Sequence, residues 1–150
     1  DAPSKIKGFR TFDWGQVIEE MTKDGEQPNF IETEKLKDGT YYVLAEENLM
    51  IGNVLLTNIN YVFSKKDDKF FKVLLTGQKI DVEQMQFIVD YKYGAHVNET
   101  EKDDKVIMQW IVEDVTITLV NYKYNKFELI LESNWEAVQA FKKNTTVIDF

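Results

Sequence analysis

Two stretches of this chain alternate apolar and polar residues with a period of two, and that alternation limits the fold more than any other feature. The first begins at Tyr41, in "YYVLAE" and then "VLLTNINYVF", where Leu55, Thr57, Ile59, Tyr61 and Phe63 fall on one face of an extended strand. "KKDDK" at 65–69 is a hairpin turn, and the run from Phe70 to Thr76, closed by Gly77, completes a three-strand antiparallel meander. The second stretch starts with "VIMQWIV", turns at Glu113-Asp114, returns through "VTITLVNYKY", turns at Asn125-Lys126 and ends in "FELILE". It is a second meander.

Helical periodicity is confined to short segments. After a strand-like alternation of Phe9, Thr11 and Asp13 with Arg10, Phe12 and Trp14, Gly15 breaks the pattern, and Val17, Ile18 and Met21 share a helical face before Lys23-Asp24-Gly25 stops it. The polar stretch through Gly39 reads as a long loop holding a strand at Phe30 to Thr33. Asp81 and Gln84 have capping-box spacing ahead of Val82, Met85, Val89 and Tyr93, and Gly94 ends that helix. Ser133 and Glu136 head a final helix with Trp135, Val138 and Phe141 inward.

The two halves repeat in order of elements, at about 9–77 and 80–143. Asn60-Tyr61 is matched by Asn121-Tyr122, and "DDKFFKVLLT" by "YNKFELILES". A single helix-and-meander unit is too small to be stable alone, which is a reason to fuse two. The expectation is an α+β domain over 1–150, in which two helix/three-strand-meander repeats form one antiparallel sheet with helices on one face.

Composition narrows the function mainly by exclusion. The 150 residues suit one domain, and 43% hydrophobic content with two prolines describes a folded chain. A formal charge of −8 repels phosphate backbones, and the basic pairs Lys65-Lys66 and Lys142-Lys143 lack the interleaved aromatics of single-strand binders, so nucleic acid is not expected as a partner. Without cysteine there is no disulfide, thiolate nucleophile or Cys-based metal site. The longest apolar run, Tyr41 to Ala45, is far short of a membrane span, so no transmembrane segment is expected. The start at Asp1-Ala2-Pro3-Ser4, without Met, is read as the trace of a removed segment, by preference a secretion signal, with a lipid anchor upstream of Asp1 as one form of it.

Catalytic equipment is sparse. The chain holds one histidine, His96, placed at a helix end, and three serines: Ser4 at the start, Ser64 at a strand end and Ser133 at a helix cap. No Gly-x-Ser-x-Gly elbow or glycine-rich phosphate loop occurs. The acid pairs Glu46-Glu47, Asp67-Asp68, Asp103-Asp104 and Glu113-Asp114 lie in turns or strand ends, where adjacent side chains point apart, and none has calcium-loop spacing. No catalytic residue, cofactor or metal ligand is therefore assigned, and the chain is not expected to be an enzyme. The aromatics offer more, since exposed Tyr and Trp make good recognition surfaces. Tyr122 and Tyr124 share a face with Thr116 and Thr118, and together with Asn60 and Tyr61 they form the candidate binding face.

The Phe9-to-Gly15 opening, the "INYVF…KFFKV" hairpin and the "YKYG" helix end resemble those of bacterial secreted or lipid-anchored proteins of unknown function. In order of elements, the doubled helix-and-meander unit is also similar to secreted beta-lactamase-inhibitor proteins and, singly, to small outer-membrane assembly lipoproteins, although the inhibitors' cysteines are missing. The resemblance implies an extracytoplasmic bacterial protein that binds another protein, one it does not name, through a sheet face and without catalysis; it implies no oligomeric state. The alternative is a carrier of a small amphipathic ligand held between the sheet and its helices.

Overall fold

The computed structural model describes residues 6–134. A short hairpin, β1 (Gly8–Phe9) and β2 (Phe12–Asp13), precedes β3 (Phe30–Lys35), β4 (Gly39–Leu44), β5 (Met50–Ile51), β6 (Val54–Ser64) and β7 (Phe70–Gln78). Helix α1 (Val82–Tyr93) leads to β8 (Asn98–Lys102), β9 (Lys105–Val112), β10 (Val115–Tyr122) and β11 (Lys126–Ser133). Nine strands make one antiparallel sheet in the order β3-β4-β6-β7-β11-β10-β9-β8, with β5 added beside β6. Each half is thus a meander running from an outer edge, β3 or β8, to the centre of the sheet, where β7 and β11 pair antiparallel from Lys126↔Gln78 to Glu132↔Lys72.

This architecture corrects the expected one. The large antiparallel sheet is present, but the two helix/meander repeats are not: α1 is the single α-helix among the described residues. The segment expected to be the first helix makes only one 3₁₀ turn, Ile18–Glu20, and of its apolar face only Met21 is buried. Between Gly15 and the Lys23-Asp24-Gly25 stop there are too few residues to offset the cost of helix nucleation. The final helix expected after Ser133 lies outside the described residues; Ser133 itself is a buried residue of β11. The polar stretch after α1 contains an edge strand, β8, whose Glu99-Thr100-Glu101-Lys102 repeats Glu32-Thr33-Glu34-Lys35 of the opposite edge strand β3. Acids and lysine on both edges discourage further strands from adding to the sheet.

Two further departures come from the pleat. The face proposed for β6 fails at its start, because the register shifts between Leu56 and Asn58; Val54 and Leu56 point inward with Ile59, Tyr61 and Phe63, while Leu55 and Thr57 are exposed. A bulge inserts one residue and reverses the alternation before it. The echo of Asn60-Tyr61 in Asn121-Tyr122 is not a structural equivalence either. Tyr61 is buried in the core, whereas Tyr122 belongs with Thr116 and Thr118 on the opposite side of the sheet from the buried Ile117 and Leu119.

One contiguous core joins the inner faces of both meanders, the β1–β2 hairpin and α1. At the seam, Gly77 stands opposite Phe127, and a Cβ on Gly77 would lie 2.3 Å from the Phe127 ring. Only glycine lets that ring lie flat over the strand. Helix α1 crosses the inner face with Val82, Met85 and Val89 buried. Asp81 makes no side-chain cap, so the capping box does not form; Gly94, at φ +90°, ends the helix as expected.

Candidate functional site

The four residues of the expected binding face are not brought together. Tyr61 is fully buried, its ring edge-on to Phe9, Phe12 and Phe30 at 5.3–5.9 Å. Asn60 points the other way, where its Oδ1 accepts a hydrogen bond from Thr33. Tyr122 is on that same outer face, but β7 and β11 intervene, a separation of roughly 14 Å at ordinary strand spacing. Its hydroxyl donates to Glu128, and Lys126 and Lys105 lie over its ring at 5.1 and 5.8 Å. Burial and then the Glu128 carboxylate push the Tyr122 phenol up to about 12. Tyr124 has left the strand and is exposed in the turn between β10 and β11.

The other polar groups singled out in the sequence have structural places. In each acid pair one residue takes the left-handed backbone of a turn: Glu46, Asp68, Asp103 and Glu113 have φ between +54° and +59°. Ser64 donates to Asp67 and accepts from the Lys69 amide, closing the β6–β7 turn. His96 sits between Glu99, at 3.0 Å, and Asp90, at 3.6 Å, with its ring edge toward Trp110. Trp110 donates its indole N–H to Asp90 and to the Gly94 carbonyl, so this group fastens the end of α1 to β9. Among the described residues no three His, Asp or Glu side chains converge as a metal site needs.

The space that remains lies between α1 and the sheet. A cavity of about 580 Å³ is floored by Leu75 of β7, Ile117 of β10 and Leu129 and Leu131 of β11. Met85, Ile88 and Val89 of α1 roof it, and Ile6, Phe9 and Ile51 form a side wall. The pattern has a local origin. Odd-numbered residues of β10 and β11 face inward, and the helical spacing of Met85, Ile88 and Val89 turns one stripe toward the strands. The large aromatics of α1, Phe87 and Tyr91, are on its exposed side, stacked on each other at 6.1 Å. No aromatic of the helix roof therefore fills the volume except the half-buried Tyr93 at its end. Lys7, Arg10, Asp13 and Lys92 supply the polar lining. The size and the mix of apolar walls with a few polar groups are those of small-molecule sites.

Arg10 forms one wall. It occupies the tight turn of the β1–β2 hairpin at φ +57°, and its guanidinium donates to Glu47 Oε2 at 2.8 Å and to the carbonyls of Asn48 and Met50. The hairpin is thereby tied to the loop ahead of β5. Behind Arg10 a second pocket of about 450 Å³ is bordered by Glu47 and Tyr61. The hydroxyl of Tyr61 and Oε1 of Glu47 are both shielded from solvent without a partner in ordinary hydrogen-bond geometry, and the Glu47 carboxylate is close enough to act on the phenol proton. Burial, and after it the negative charge of Glu47, drives the Tyr61 phenol far above its ordinary range, so it stays neutral.

The cavity was not visible as a site in the sequence, because its lining is ordinary core sequence. The signal available was the position of the α1 aromatics: Phe87 and Tyr91 fall off the Val82, Met85, Val89 stripe, leaving medium-sized side chains to face the sheet until Tyr93 at the helix end. No helix among the described residues is long and apolar enough to cross a membrane. Compared with family models, curated proteins and solved structures, the chain finds no match.

Proposed function

We propose that this protein is a non-catalytic carrier of a small amphipathic ligand held between α1 and the sheet. The observation that supports it is the largely apolar cavity of about 580 Å³ with a few polar groups, Lys7, Arg10, Asp13 and Lys92, in its lining. A hydrocarbon body covering Leu75, Ile117 and Leu129 gains roughly 25 cal/mol per Å² of apolar surface removed from water, without displacing any hydrogen-bonded group. Protein purified under native conditions and then extracted with organic solvent should release ligand mass, and Leu129→Phe, which fills the floor, should lower its yield. A wild-type extract containing no such mass, from protein that also binds no alkyl probe, would end this assignment.

A protein-binding role is the second proposal, and it moves from the sheet to the helix. Phe87 and Tyr91 of α1 are 59% and 84% exposed, and Ile80, in the 3₁₀ turn Lys79–Asp81 that leads into it, is 86% exposed, a concentration of apolar surface at one end of the sheet's cover. A Phe87→Ser/Tyr91→Ser variant that stays folded should lose a partner captured by cross-linking; equal capture argues against this face. In either role we place the protein outside the bacterial cytoplasm, on the resemblance of its opening and hairpin segments; fractionation of the source cells tests that placement.

A further inference from the structure

The carrier role leaves the head group of the ligand open, and the charges around the cavity address it. The chain as a whole is acidic, at −8, yet three cations, Lys7, Arg10 and Lys92, line this cavity against one carboxylate, Asp13. The cations come from three places: the segment entering β1, the turn of the hairpin and the last turn of α1. Arg10 is already neutralised by Glu47 and held by two backbone carbonyls. The Lys7 ammonium has no ion pair or hydrogen bond among the described residues, and that of Lys92 only lies over the Tyr93 ring at 5.4 Å. Two ammonium groups, both on exposed residues, thus border an apolar volume without an ion pair among the described residues, Asp13 being the one carboxylate in the lining.

Lysine stems lie comfortably along apolar walls while their heads stay in water, which puts positive charge where an amphiphile's head would emerge. Building on the carrier role, we propose that the cavity takes an anionic amphiphile of the fatty-acid type, its carboxylate at the Lys7 and Lys92 rim and its chain over Leu75 and Leu129 beneath α1. A neutral amphiphile of equal length gains the same apolar burial but leaves both ammonium groups unpaired. A cationic one meets repulsion at the rim.

Three probes of one chain length separate these cases: dodecanoate, 1-dodecanol and dodecyltrimethylammonium, titrated calorimetrically into the delipidated full chain at low and high salt. Dodecanoate should bind about fivefold more tightly than dodecanol at low salt, as expected for two partly exposed ion pairs, and the margin should shrink as salt rises. The Lys7→Gln/Lys92→Gln variant should lose that margin while its affinity for dodecanol stays unchanged. Equal binding of dodecanoate and dodecanol, tightest binding of the cation, or a margin that survives in the double variant would overturn the head-group assignment and leave the carrier role standing. Binding of none of the three by folded protein would remove the carrier role itself.

Discussion

The two halves of the sheet share a strand plan and differ in what covers them. Over the first meander, the β1–β2 hairpin brings Phe9, Phe12 and Trp14 down onto Phe30, Tyr61, Phe63 and Phe70, with neighbouring ring centroids 4.8–5.9 Å apart. Rings of this size interlock and fill most of the space between hairpin and sheet, leaving the pocket behind Arg10 at its margin. Over the central strands and the second meander lies one helix whose inward stripe is Met85, Ile88 and Val89, facing Ile117, Leu129 and Leu131. Side chains of middling length on both sides do not meet everywhere, and the cavity is the result. The same kind of sheet is therefore closely packed where aromatics cap it and a container where a helix does, with Phe9 of the hairpin forming the wall between the two.

The largest expected effect tests the closely packed half. Trp14 is buried, packs its ring against Phe70 at 4.8 Å with the planes tilted by 36°, and donates its indole N–H to the Ile6 carbonyl, so Trp14→Ala should cost about 3–5 kcal/mol in urea unfolding. An unchanged midpoint would show that the hairpin does not seal this half. Next, enlarging a valine should separate the halves: Val73→Phe, in the packed β7 core, should lose about 1–3 kcal/mol, whereas Val89→Phe, with the cavity before it, should lose under about 1 kcal/mol. Equal losses would mean that the helix side is packed as tightly as the aromatic side.

A smaller effect is expected at alkaline pH. Tyr61 in the closely packed half and Tyr122 on the outer face both hold their protons above the ordinary tyrosine value, so the folded chain binds more protons than the unfolded one once pH exceeds about 10. Stability should fall as pH rises from there, and ultraviolet titration should show four phenols that ionise late: Tyr41 and Tyr42 of β4, both raised first by burial, Tyr122 near 12, and Tyr61 only on unfolding. If every tyrosine ionised at its ordinary value in folded protein, the sealing of Tyr61 would be disproved. The smallest effect belongs to Tyr61→Phe: its hydroxyl has no partner in ordinary hydrogen-bond geometry, although Glu47 acts on its proton, so its removal should change stability by no more than about 1 kcal/mol. A loss of more than about 1 kcal/mol would reveal that the hydroxyl is hydrogen-bonded in the folded chain.

Much of the strand plan was legible because period-two alternation is local. The six strands of the two expected meanders, their turns at 65–69, 113–114 and 125–126, and helix α1 with its Gly94 stop lie where periodicity and turn residues put them. The edge strands were harder: β8 has five exposed residues and no alternation to detect. The binding face failed for a different reason. Tyr61 keeps the side it shares with Ile59 and Phe63, but that side is the one covered by the β1–β2 hairpin, and a strand with apolar residues on both faces, such as Val62 beside Tyr61, does not announce which face is covered.

By itself the sequence determined that this chain is built from antiparallel hairpins, that its acid pairs serve turns, and that helix α1 separates the two meanders, since each of these depends on residues a few positions apart. The tertiary structure alone decided that β7 and β11 meet at the seam, that Tyr61 is sealed in while Tyr122 is not, and that a cavity opens beneath α1 with Lys7 and Lys92 beside it. Those outcomes depend on which side chains from distant segments reach one another across the sheet, and the volume they leave unfilled belongs to no single stretch of sequence.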